Sequence, residues 1–507
     1  MELTFRSPKG AGMAHDVIIV GAGFGGMGAA IELLGRGIDD LLILEREDDL
    51  GGTWHVNHYP GLAVDIASVT YSYSFEPNPG WSRLYAPGSE LKAYASRVAD
   101  KYGLRPLMRF GVDVRGARWD ARAAEWEVTV VREGGLEQKL RTRYLITATG
   151  FLSQPKLPDI EGVEDFAGTV VHSAQWDDDV PLAGRRIGVI GTGATGVQLV
   201  PELAKVAGHL TVFQRTPIWV VPKVDFPVPG PVKALFRRLP VTQRAARLAN
   251  SSALEVLNTV GVLNYQYGHR FNDIAALLAK AHMFAQVRDP RTRAALTPSY
   301  SFGCKRPTFS NSYFPTFSRQ NVTLEASSIK RVLPHGIEMT DGTVHELDVL
   351  VLATGFSLWE KNFPAIDVTG RDGRNLGEFW REGRFQAYEG MAVPKFPNFF
   401  SLHSPYSYTG LSYFWTIEAQ MVHLRRVFDE IDRRSARTVE VTEQANARFL
   451  ETMSHRLERS VFQRGSCAGS RSYYFDPHGE ATLLRPSSVI GARRDARTFP
   501  IEDYAFS

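Results

Sequence analysis

The sequence has few of the cysteine and histidine motifs that indicate redox-active or metal-binding proteins. Only two cysteines occur, Cys304 and Cys467, and they lie far apart and form no CxxC pair. This argues against a disulfide-reductase centre and against a cysteine-rich metal site. The 13 histidines include no HxxxH or HExxH spacing, so we expect no bound metal.

The chain also has little net charge and no long hydrophobic run. Its formal charge is +3 over 507 residues, and no run of basic residues alternates with aromatic residues as a nucleic-acid groove requires. No stretch approaches the roughly 18 apolar residues of a membrane span, and the first ten residues have no signal-peptide core. We therefore expect a cytoplasmic protein with no membrane span and no nucleic-acid partner.

What the chain does have is enough apolar sequence for more than one core. Hydrophobic residues make up 44% of it and charged residues 22%, an ordinary globular composition. A chain of this length is expected to form two or three domains.

A glycine-rich loop follows the apolar run at residues 17–20 and precedes a helical pattern. In a strand–turn–helix unit, Gly21 would permit the tight turn, Gly23 would let the backbone approach a pyrophosphate, and Gly26 would let the helix pack against the strand. The helix N-terminus would then face the diphosphate. The spacing predicts a dinucleotide site.

Glu45 strengthens this prediction. It ends a second apolar run, residues 41–44, nineteen residues after Gly26, where a carboxylate can accept a hydrogen bond from a ribose 2′-hydroxyl. The position near the N-terminus is typical of FAD in enzymes that bind two dinucleotides, by analogy of fold.

A second strand–loop–helix pattern contains Gly191, Gly193 and Gly196. The strand that follows ends at Phe213 and is succeeded by Arg215 and Thr216 instead of a carboxylate. A guanidinium can bind a 2′-phosphate through two charge-assisted hydrogen bonds, whereas a carboxylate would repel it. The second site is therefore predicted to bind NADPH.

Two short motifs, at residues 147–151 and 351–356, each follow an apolar strand pattern and contain a glycine, Gly150 or Gly355. We interpret them as hinges between domains. The predicted fold class is α/β, with two Rossmann-like dinucleotide-binding domains and the NADPH domain inserted in a discontinuous FAD domain. The predicted boundaries are 1–150 for the first part of the FAD domain, 151–354 for the NADPH domain, and 355–507 for the second FAD part.

The segment from about 224 to 296 has no strand alternation, and its apolar positions predict a helical insert in the NADPH domain. Arginines 237, 238, 244 and 247 lie among these positions. A basic amphipathic helix can lie on a membrane surface, but a solvated face is the favoured interpretation here.

The segment 166–177, FAGTVVHSAQWD, fits the pattern FxGxxxHxxxW(P/D) through Phe166, Gly168, His172, Trp176 and Asp177. It resembles the signature of flavin-dependent Baeyer–Villiger monooxygenases. The resemblance extends from about residue 16 to residue 474. It implies that His172 and Trp176 couple domain position to the oxygenation cycle.

A second segment, residues 51–65, is similar to the family pattern (A/G)GxWxxxx(F/Y)P(G/M)xxxD and contains Thr53, Trp54 and Asp65. In the family this loop covers the flavin, which places Asp65 near the reacting ring, where it would orient the catalytic arginine. The sequence departs from the pattern at His58, where many relatives have arginine.

A third segment, SFGCKRP at residues 301–307, resembles the family motif GxKR. The resemblance implies that Arg306 is the catalytic arginine and that Lys305 reaches the nicotinamide ribose. A permanently charged guanidinium can stabilise both a deprotonated peroxide and an oxyanion without acting as a proton source.

The resemblance implies an enzyme that uses FAD, NADPH and O2 to convert a ketone to an ester or lactone through a C4a-peroxyflavin. Water must be kept from that intermediate because it otherwise decays to H2O2. Towards the C-terminus, His403 stands where relatives usually have small residues, a helix is predicted from about Leu411, and residues 472–474 match a segment that helps form the substrate pocket.

Three alternatives stay open. A flavin-containing monooxygenase acting on sulfides or amines shares both loops, but its signature usually ends in tyrosine where this chain has Trp176 and Asp177. A non-catalytic nucleotide-binding flavoprotein would not need Asp65, Lys305 and Arg306 together. An NADPH oxidase that releases H2O2 would result if the changes at His58 and His403 admitted water. The particular ketone and the oligomeric state are left open by the sequence.

Overall fold

The computed structural model describes residues 14–132 and 134–507. The first ten residues, which we interpret as lacking a signal peptide, lie outside this part. The described chain is an α/β fold built on one mixed sheet and one parallel sheet, and it falls into three stretches.

The first stretch begins with a strand–helix–strand unit and ends in three long antiparallel strands. Its elements are β1 (His15–Val20), α1 (Phe24–Leu34), β2 (Leu41–Leu44), α2 (Thr53–Val56), α3 (Gly88–Lys101), β3 (Met108–Arg109), β4 (Val112–Asp120), β5 (Glu125–Arg132) and β6 (Glu137–Thr147).

The second stretch contains the parallel sheet and the helices α4 to α9, including the long α6 and α7. Its elements are β7 (Thr169–His172), β8 (Arg186–Ile190), α4 (Ala194–Val206), β9 (His209–Phe213), β10 (Val220–Val221), α5 (Gly230–Arg238), α6 (Pro240–Leu257), α7 (Tyr265–Gln286), α8 (Pro290–Leu296), β11 (Thr308–Phe309), α9 (Tyr313–Thr316), β12 (Val322–Glu325), β13 (Ile329–Leu333), β14 (Gly336–Met339), β15 (Val344–Glu346) and β16 (Val349–Leu352).

The third stretch is mainly helical. Its elements are α10 (Leu358–Lys361), β17 (Asp367–Thr369), α11 (Leu376–Glu382), β18 (Phe399–Ser401), α12 (Tyr413–Arg434), β19 (Val439–Val441), α13 (Glu443–Leu457), α14 (Val461–Arg464), α15 (Val489–Thr498) and β20 (Tyr504–Phe506). The helix predicted from about Leu411 is α12, which begins two residues later.

The first and third stretches share the mixed sheet. Its strand order is β17-β4-β5-β6-β1-β2-β3, with β18 also paired to β6. The apolar runs of β1 and β2, residues 17–20 and 41–44, are buried throughout, as is typical of parallel strands inside a sheet. By contrast, β4 and β5 alternate buried and more exposed residues, as expected when one face of an antiparallel sheet meets solvent.

The second stretch contains a five-stranded sheet of order β12-β9-β8-β16-β7, in which every pairing is parallel. Strand β8 lies between β9 and β16, so the loop after β8 opens at the carboxyl edge of a parallel sheet, where ligands bind in this class of fold. The fold class predicted from the sequence is confirmed, whereas the exact domain boundaries stay predictions.

The two predicted hinges lie side by side. The Lys156 N–H donates to the Gly355 carbonyl at 2.9 Å, and the Ser357 N–H donates to the Gln154 carbonyl at 2.8 Å. Gly150 and Gly355 have φ of 69° and 80°, a left-handed conformation that favours glycine. The chain thus leaves and re-enters the mixed-sheet unit through one short two-stranded crossing.

Helices α5 to α8 form the insert predicted between about 224 and 296. A π-helical turn, Asn258–Leu263, joins α6 to α7. Arg247 of α6 donates to the Ser72 carbonyl at 2.8 Å, and the Asn258 side-chain amide donates to the Thr409 carbonyl at 3.0 Å. These bonds attach the insert to the mixed-sheet unit. No helix of the described residues is long and apolar enough to cross a membrane.

Cys304 and Cys467, 163 residues apart, form a disulfide. The bond joins the segment that carries Lys305 and Arg306 to the C-terminal segment that carries residues 472–474. Both cysteines are buried. Their separation in the sequence gives no indication of this pairing, because it depends on how two distant segments approach each other.

His423 is expected to make stability depend on pH. Burial, with smaller contributions from Arg426 and Arg485, lowers the pKa of its imidazole to about 3. The unfolded chain takes up a proton below about pH 6.5 and the folded chain does not, so stability is complete above that pH and falls below it. Each pH unit below about 6 should cost about 1.4 kcal/mol for this histidine.

Thermal unfolding midpoints at about pH 5 and about pH 7.5 test this expectation. His423→Gln, which keeps a polar partner for the Tyr504 hydroxyl, should reduce the fall in Tm at low pH. His455→Gln is the matched control because that ring is 79% exposed. An unchanged pH dependence in His423→Gln would show that His423 is not responsible.

The disulfide should contribute to stability. A covalent link over a long stretch of chain limits the unfolded state, and we expect the double variant Cys304→Ser/Cys467→Ser to lose about 2–5 kcal/mol. Thermal unfolding with and without dithiothreitol measures this, since reductant should lower the Tm of the parent and leave that of the double variant unchanged. Two titratable thiols in the denatured, unreduced parent would contradict the assignment.

Candidate active site between the two nucleotide loops

The first glycine-rich loop has the backbone that its spacing predicts. Gly21 has φ of +108°, and an ideal Cβ on Gly26 would lie 1.9 Å from the Gly21 carbonyl oxygen. Gly23 is the N-cap of α1, and no side chain caps the helix. The first amides of α1 therefore point towards an anion-binding position.

The second glycine-rich loop repeats this geometry. Gly191 has φ of +111°, and a Cβ on Gly196 would lie 2.4 Å from the Gly191 carbonyl oxygen. Gly193 caps α4 without a side-chain bond. A Cβ there would meet no protein atom within 4 Å, which leaves the space that a close-lying phosphate needs. Both loops fit a dinucleotide diphosphate.

Glu45 lies at the end of β2, beside the first loop. Its carboxylate accepts hydrogen bonds from the Ala22 N–H at 2.7 Å and the Glu47 N–H at 3.1 Å. Burial raises the pKa of this carboxyl, and the two backbone donors oppose that rise. Glu45 thus holds the loop in place from the position where a ribose would lie.

The segment 51–65 connects the two nucleotide loops. Thr53 and Trp54 begin α2, and the Trp54 ring packs edge-on against Tyr71 with centroids 5.5 Å apart. Gln198 of α4 donates to the Ala63 carbonyl at 2.9 Å and accepts from the Tyr59 hydroxyl at 3.1 Å. Gln198 was not identified from the sequence, where it is one polar residue of an amphipathic helix.

Asp65 ends this segment and forms a two-point ion pair with Arg306. The Nε and Nη2 atoms of Arg306 donate to the two Asp65 carboxylate oxygens at 2.8 and 3.2 Å. The Nη1 atom donates to the Tyr408 hydroxyl at 2.7 Å and to the Gly410 carbonyl at 2.9 Å. The structure thus brings together two predicted residues that are 241 positions apart.

These partners keep the Arg306 side chain protonated and charged. Burial by itself would lower the pKa of the guanidinium, but Asp65 and then Tyr408 and Tyr474 outweigh it, and the pKa stays well above its usual value. Tyr408 and Gly410 were not identified from the sequence. The nearest positions that the sequence singled out were His403 and Leu411, on either side of these two residues.

Lys305 and Arg215 are two cations that influence each other. Burial lowers the pKa of the Lys305 amine, and the nearby Arg215 charge lowers it further. Burial, and then Arg471, lowers the pKa of Arg215. Arg215 and Thr216 follow β9, and the Thr216 carbonyl accepts a hydrogen bond from the Thr192 hydroxyl at 3.3 Å. Three cations thus come together beside the second loop.

His172 ends β7 next to the chain crossing. Its Nδ1 accepts a hydrogen bond from the Ala174 N–H at 3.1 Å, so Nε2 carries the proton and faces the Thr354 hydroxyl at 3.4 Å. Burial lowers the pKa of the ring, which keeps it neutral. His172 therefore contacts the second of the two predicted hinges.

The other residues of the segment 166–177 make packing and backbone contacts away from Arg306. Phe166 is buried against Ile337 and Leu350, and a Cβ on Gly168 would lie 2.4 Å from the Asp348 carbonyl oxygen. Trp176 is buried in the same cluster as Tyr59. Asp177 is exposed and accepts a hydrogen bond from the Asp179 N–H at 2.9 Å. The described chain does not place them at Arg306.

The two histidines that depart from the family pattern lie in different environments. His58 is half-exposed, with its Nε2 3.7 Å from an Asp178 carboxylate oxygen. His403 is buried and stacks on Tyr413 with ring centroids 3.7 Å apart. Burial lowers the pKa of His403 to about 3, so the ring is neutral.

His403 also bears on whether the site fits a flavin. Its Nε2 has no hydrogen-bond partner among the described residues, and its Nδ1 would lie 3.8 Å from a Cβ on Gly25 of the first loop. A buried polar atom beside the loop needs a partner, and the polar ring edge of a flavin would supply one. The residues present fit FAD at the first loop and NADPH at the second.

Comparison with known proteins agrees with this geometry. The family model described as pyridine nucleotide-disulphide oxidoreductase matches residues 15–244. A Baeyer-Villiger monooxygenase of Streptomyces coelicolor is 38% identical over 492 residues, which covers 96% of this chain and 92% of the relative. A Baeyer-Villiger monooxygenase of Pseudomonas aeruginosa is 35% identical, covering 98% of this chain and 92% of the relative.

Solved structures show the same likeness. The crystal structure of OTEMO in complex with FAD and NADP matches with a TM-score of 0.85 and 29% identity, over 97% of this chain and 99% of that one. The closed crystal structure of cyclohexanone monooxygenase matches with a TM-score of 0.83 and 28% identity, over 98% and 100% of the two chains. Because its relatives align along almost its whole length, the chain belongs to the Baeyer–Villiger monooxygenase family, as the motifs at residues 51–65, 166–177 and 301–307 indicate.

Proposed function

We propose that this protein uses FAD, NADPH and O2 to convert ketones to esters or lactones, with Arg306 as its catalytic residue. The observation that carries the proposal is the partly buried ion pair of Arg306 and Asp65, which joins the segment after the first nucleotide loop to the segment after the insert. A flavin bound at the first loop would supply the activation of O2.

Arg306 would stabilise negative charge on the reacting oxygen atoms. Its guanidinium is charged at every working pH, and it lies in a poorly solvated site where a fixed charge acts more strongly than in water. Four hydrogen bonds, to both Asp65 oxygens, the Tyr408 hydroxyl and the Gly410 carbonyl, fix its plane. The charge is therefore oriented before the substrate binds.

Aromatic side chains would keep water away from this charge. Burial raises the pKa of the Tyr71, Tyr408, Tyr473 and Tyr474 hydroxyls, so all four stay protonated. They can donate hydrogen bonds but carry no competing negative charge. A dry, neutral wall of this kind favours transfer of oxygen to a substrate over its loss to water.

Arg215 and Lys305 would bind the 2′-phosphate of NADPH. Burial and a neighbouring cation lower the pKa of each side chain, and neither forms an ion pair with a carboxylate in the described part of the chain. A dianionic phosphate would satisfy both. On this proposal Lys305 would contact the phosphate, whereas the family resemblance implies a contact with the nicotinamide ribose.

His172 would act as a positioning residue. It contacts Thr354 at the second hinge without approaching Arg306. A change in the relative position of the two units would therefore alter the contact between this neutral ring and the crossing. Phe166, Gly168, Trp176 and Asp177 would shape the segment around it.

We propose a cytoplasmic location. The Cys304–Cys467 bond would then lie in a compartment that usually keeps thiols reduced. Exposure of 0% for Cys304 and 7% for Cys467 would protect the bond from soluble reductants as long as the protein stays folded.

Arg306→Ala should separate reduction from oxygenation. The variant should bind FAD, remain yellow and be reduced by NADPH at the parental rate, because Arg306 is not placed at either glycine loop. Ester formation from a ketone should fall by at least about 10²–10³-fold, the usual cost of losing an oxyanion-stabilising group. Stopped-flow reduction and product analysis for ester, sulfoxide and H2O2 provide the two readouts.

Arg306→Lys and Asp65→Asn are the matched variants. Lysine keeps the charge but cannot form the two-point pair, and Asp65→Asn keeps the shape but removes the counter-charge, so both should retain more ester formation than Arg306→Ala. Parental ester yields from Arg306→Ala would remove Arg306 from the mechanism. Sulfoxide from a sulfide with no ester from any ketone in the parent would favour the heteroatom-oxidising alternative.

Arg215→Ala should discriminate between the two nicotinamide cofactors. The KM for NADPH should rise about 10–100-fold, since a charge-assisted hydrogen bond contributes about 1.5–3 kcal/mol, while the KM for NADH stays almost constant. Arg291→Ala, at an exposed arginine of α8, is the control. Equal increases for both cofactors would show that Arg215 does not contact the 2′-phosphate.

A further inference from the structure

Exposed large hydrophobic side chains are concentrated in the helical insert. Of the 21 in the described part of the chain, 14 lie between residues 224 and 284. They are Val224, Phe226, Leu235, Leu239, Val241, Leu248, Val256, Leu257, Tyr267, Phe271, Ile274, Leu277, Leu278 and Phe284. Scattered single exposures are normal on a protein surface, whereas a concentration of this kind marks an interaction surface.

Helix α7 carries the clearest part of this surface. Tyr267, Phe271, Ile274 and Leu278 follow the spacing i, i+4, i+7, i+11, which places them on one face of the helix. All four are exposed, by 48–71%. We call these four residues the α7 stripe.

A different face of α7, about 120° around the helix from the stripe, packs against the protein mainly through small or polar residues. Gly268, Asn272, Ala279 and Met283 are its buried residues. A Cβ on Gly268 would lie 2.2 Å from the Val260 carbonyl oxygen, and the Asn272 amide donates to the Phe302 carbonyl at 2.7 Å. These contacts fix the rotation of α7, so the helix cannot turn its stripe inwards.

Helix α6 has a similar exposed row. Val241, Ala245, Leu248 and Val256 are exposed and fall within about 80° of one another at 100° per residue. Arg244 lies beside this row and Arg270 lies beside the α7 stripe, and both are exposed. Each apolar row is thus bordered by a cation.

The net charge of the insert indicates which kind of surface the rows of α6 and α7 would bind. Residues 224–296 contain ten lysines and arginines and four aspartates and glutamates, whereas the whole chain has a formal charge of only +3. A second copy of the chain meeting this face through a twofold axis would bring two positive surfaces together. An anionic surface would attract it instead.

We propose that the exposed rows of α6 and α7 dock the protein on the surface of an anionic lipid bilayer. The helices lie in the plane of the interface, with the apolar side chains entering the boundary between headgroups and acyl chains. The arginine side chains extend to the lipid phosphates. The sequence favoured a solvated face for these basic helices, and the outward stripe of α7 is what changes that interpretation.

The docking helices are connected to the candidate active site. Asn272 of α7 bonds to Phe302, four residues before Arg306, and Asn258 after α6 bonds to Thr409, between Tyr408 and Gly410. A bilayer concentrates apolar ketones, so docking would place the site beside a store of substrate. This consequence rests on the proposed function, but the docking itself does not.

Vesicle sedimentation of the FAD-loaded enzyme tests the proposal without any substrate. The probes are vesicles of phosphatidylcholine alone and vesicles in which about one third of the lipid is phosphatidylglycerol. The parent should bind the anionic vesicles at least about ten times more tightly than the neutral ones, and added salt should weaken the binding. Binding that does not depend on lipid charge would overturn the electrostatic part of the proposal.

The triple variant Phe271→Glu/Ile274→Glu/Leu278→Glu should lose at least about tenfold in affinity for anionic vesicles. Its matched control is Leu136→Glu/Leu157→Glu/Val344→Glu, which places three glutamates at exposed apolar positions outside the insert. This control should lose less affinity for the anionic vesicles than the stripe variant does. Arg244→Gln/Arg270→Gln, at the exposed arginines beside the two rows, should reduce affinity about fivefold per charge, the equivalent of about 1 kcal/mol each.

Retained flavin absorbance and an unchanged Tm show that each variant is folded. Equal losses in the stripe variant and its control would overturn the proposal, because the effect would then follow net charge alone. Absence of binding by the parent would also overturn it. A parent dimer in sedimentation equilibrium that becomes a monomer in the stripe variant would assign the face to a second copy of the chain. Ketone oxidation by a parent that does not bind vesicles would leave the proposed function intact.

Discussion

The ion pair of Arg306 and Asp65 is the contact on which the candidate site depends. The two side chains come from segments that follow different nucleotide loops, so the pair exists only when both sheets and the insert are in place. Burying two charges is costly unless hydrogen bonds satisfy them, and Tyr408 and Gly410 supply those bonds. Removal of Asp65 would leave the Arg306 charge unpaired, and removal of Arg306 would leave the Asp65 carboxylate unpaired.

Several other polar contacts keep the two halves of the site in register. Gln198 of α4 holds the Ala63 carbonyl and the Tyr59 hydroxyl, and so ties the NADPH-side helix to the loop that ends in Asp65. His172 faces Thr354 at the crossing, and Cys304 is bonded to Cys467. These links lie around the site instead of within a shared core. A rotation about the crossing would therefore alter the geometry at Arg306 while leaving both sheets unchanged.

The features that the sequence predicted are mainly local. The glycine loops, Glu45 and Arg215 each lie at a fixed spacing from a strand, and their geometry depends on a few neighbouring residues. The pairing of Asp65 with Arg306 was implied by family resemblance and not by any local pattern. Tyr408, Gln198 and the disulfide were not predicted, because their roles arise where segments distant in the sequence meet.

Helix α7 shows a further limit of periodicity. The repeat predicts which residues share a face, but it does not say which face packs against the protein. An ordinary amphipathic helix would bury the α7 stripe, since burial of each large apolar side chain is worth about 1.5–3 kcal/mol. The fold forgoes that gain because Gly268 fits closely against Val260 and Asn272 satisfies the Phe302 carbonyl. Phe302 precedes Gly303, Cys304, Lys305 and Arg306, so the contact that turns the stripe outwards also supports the segment that carries the catalytic arginine.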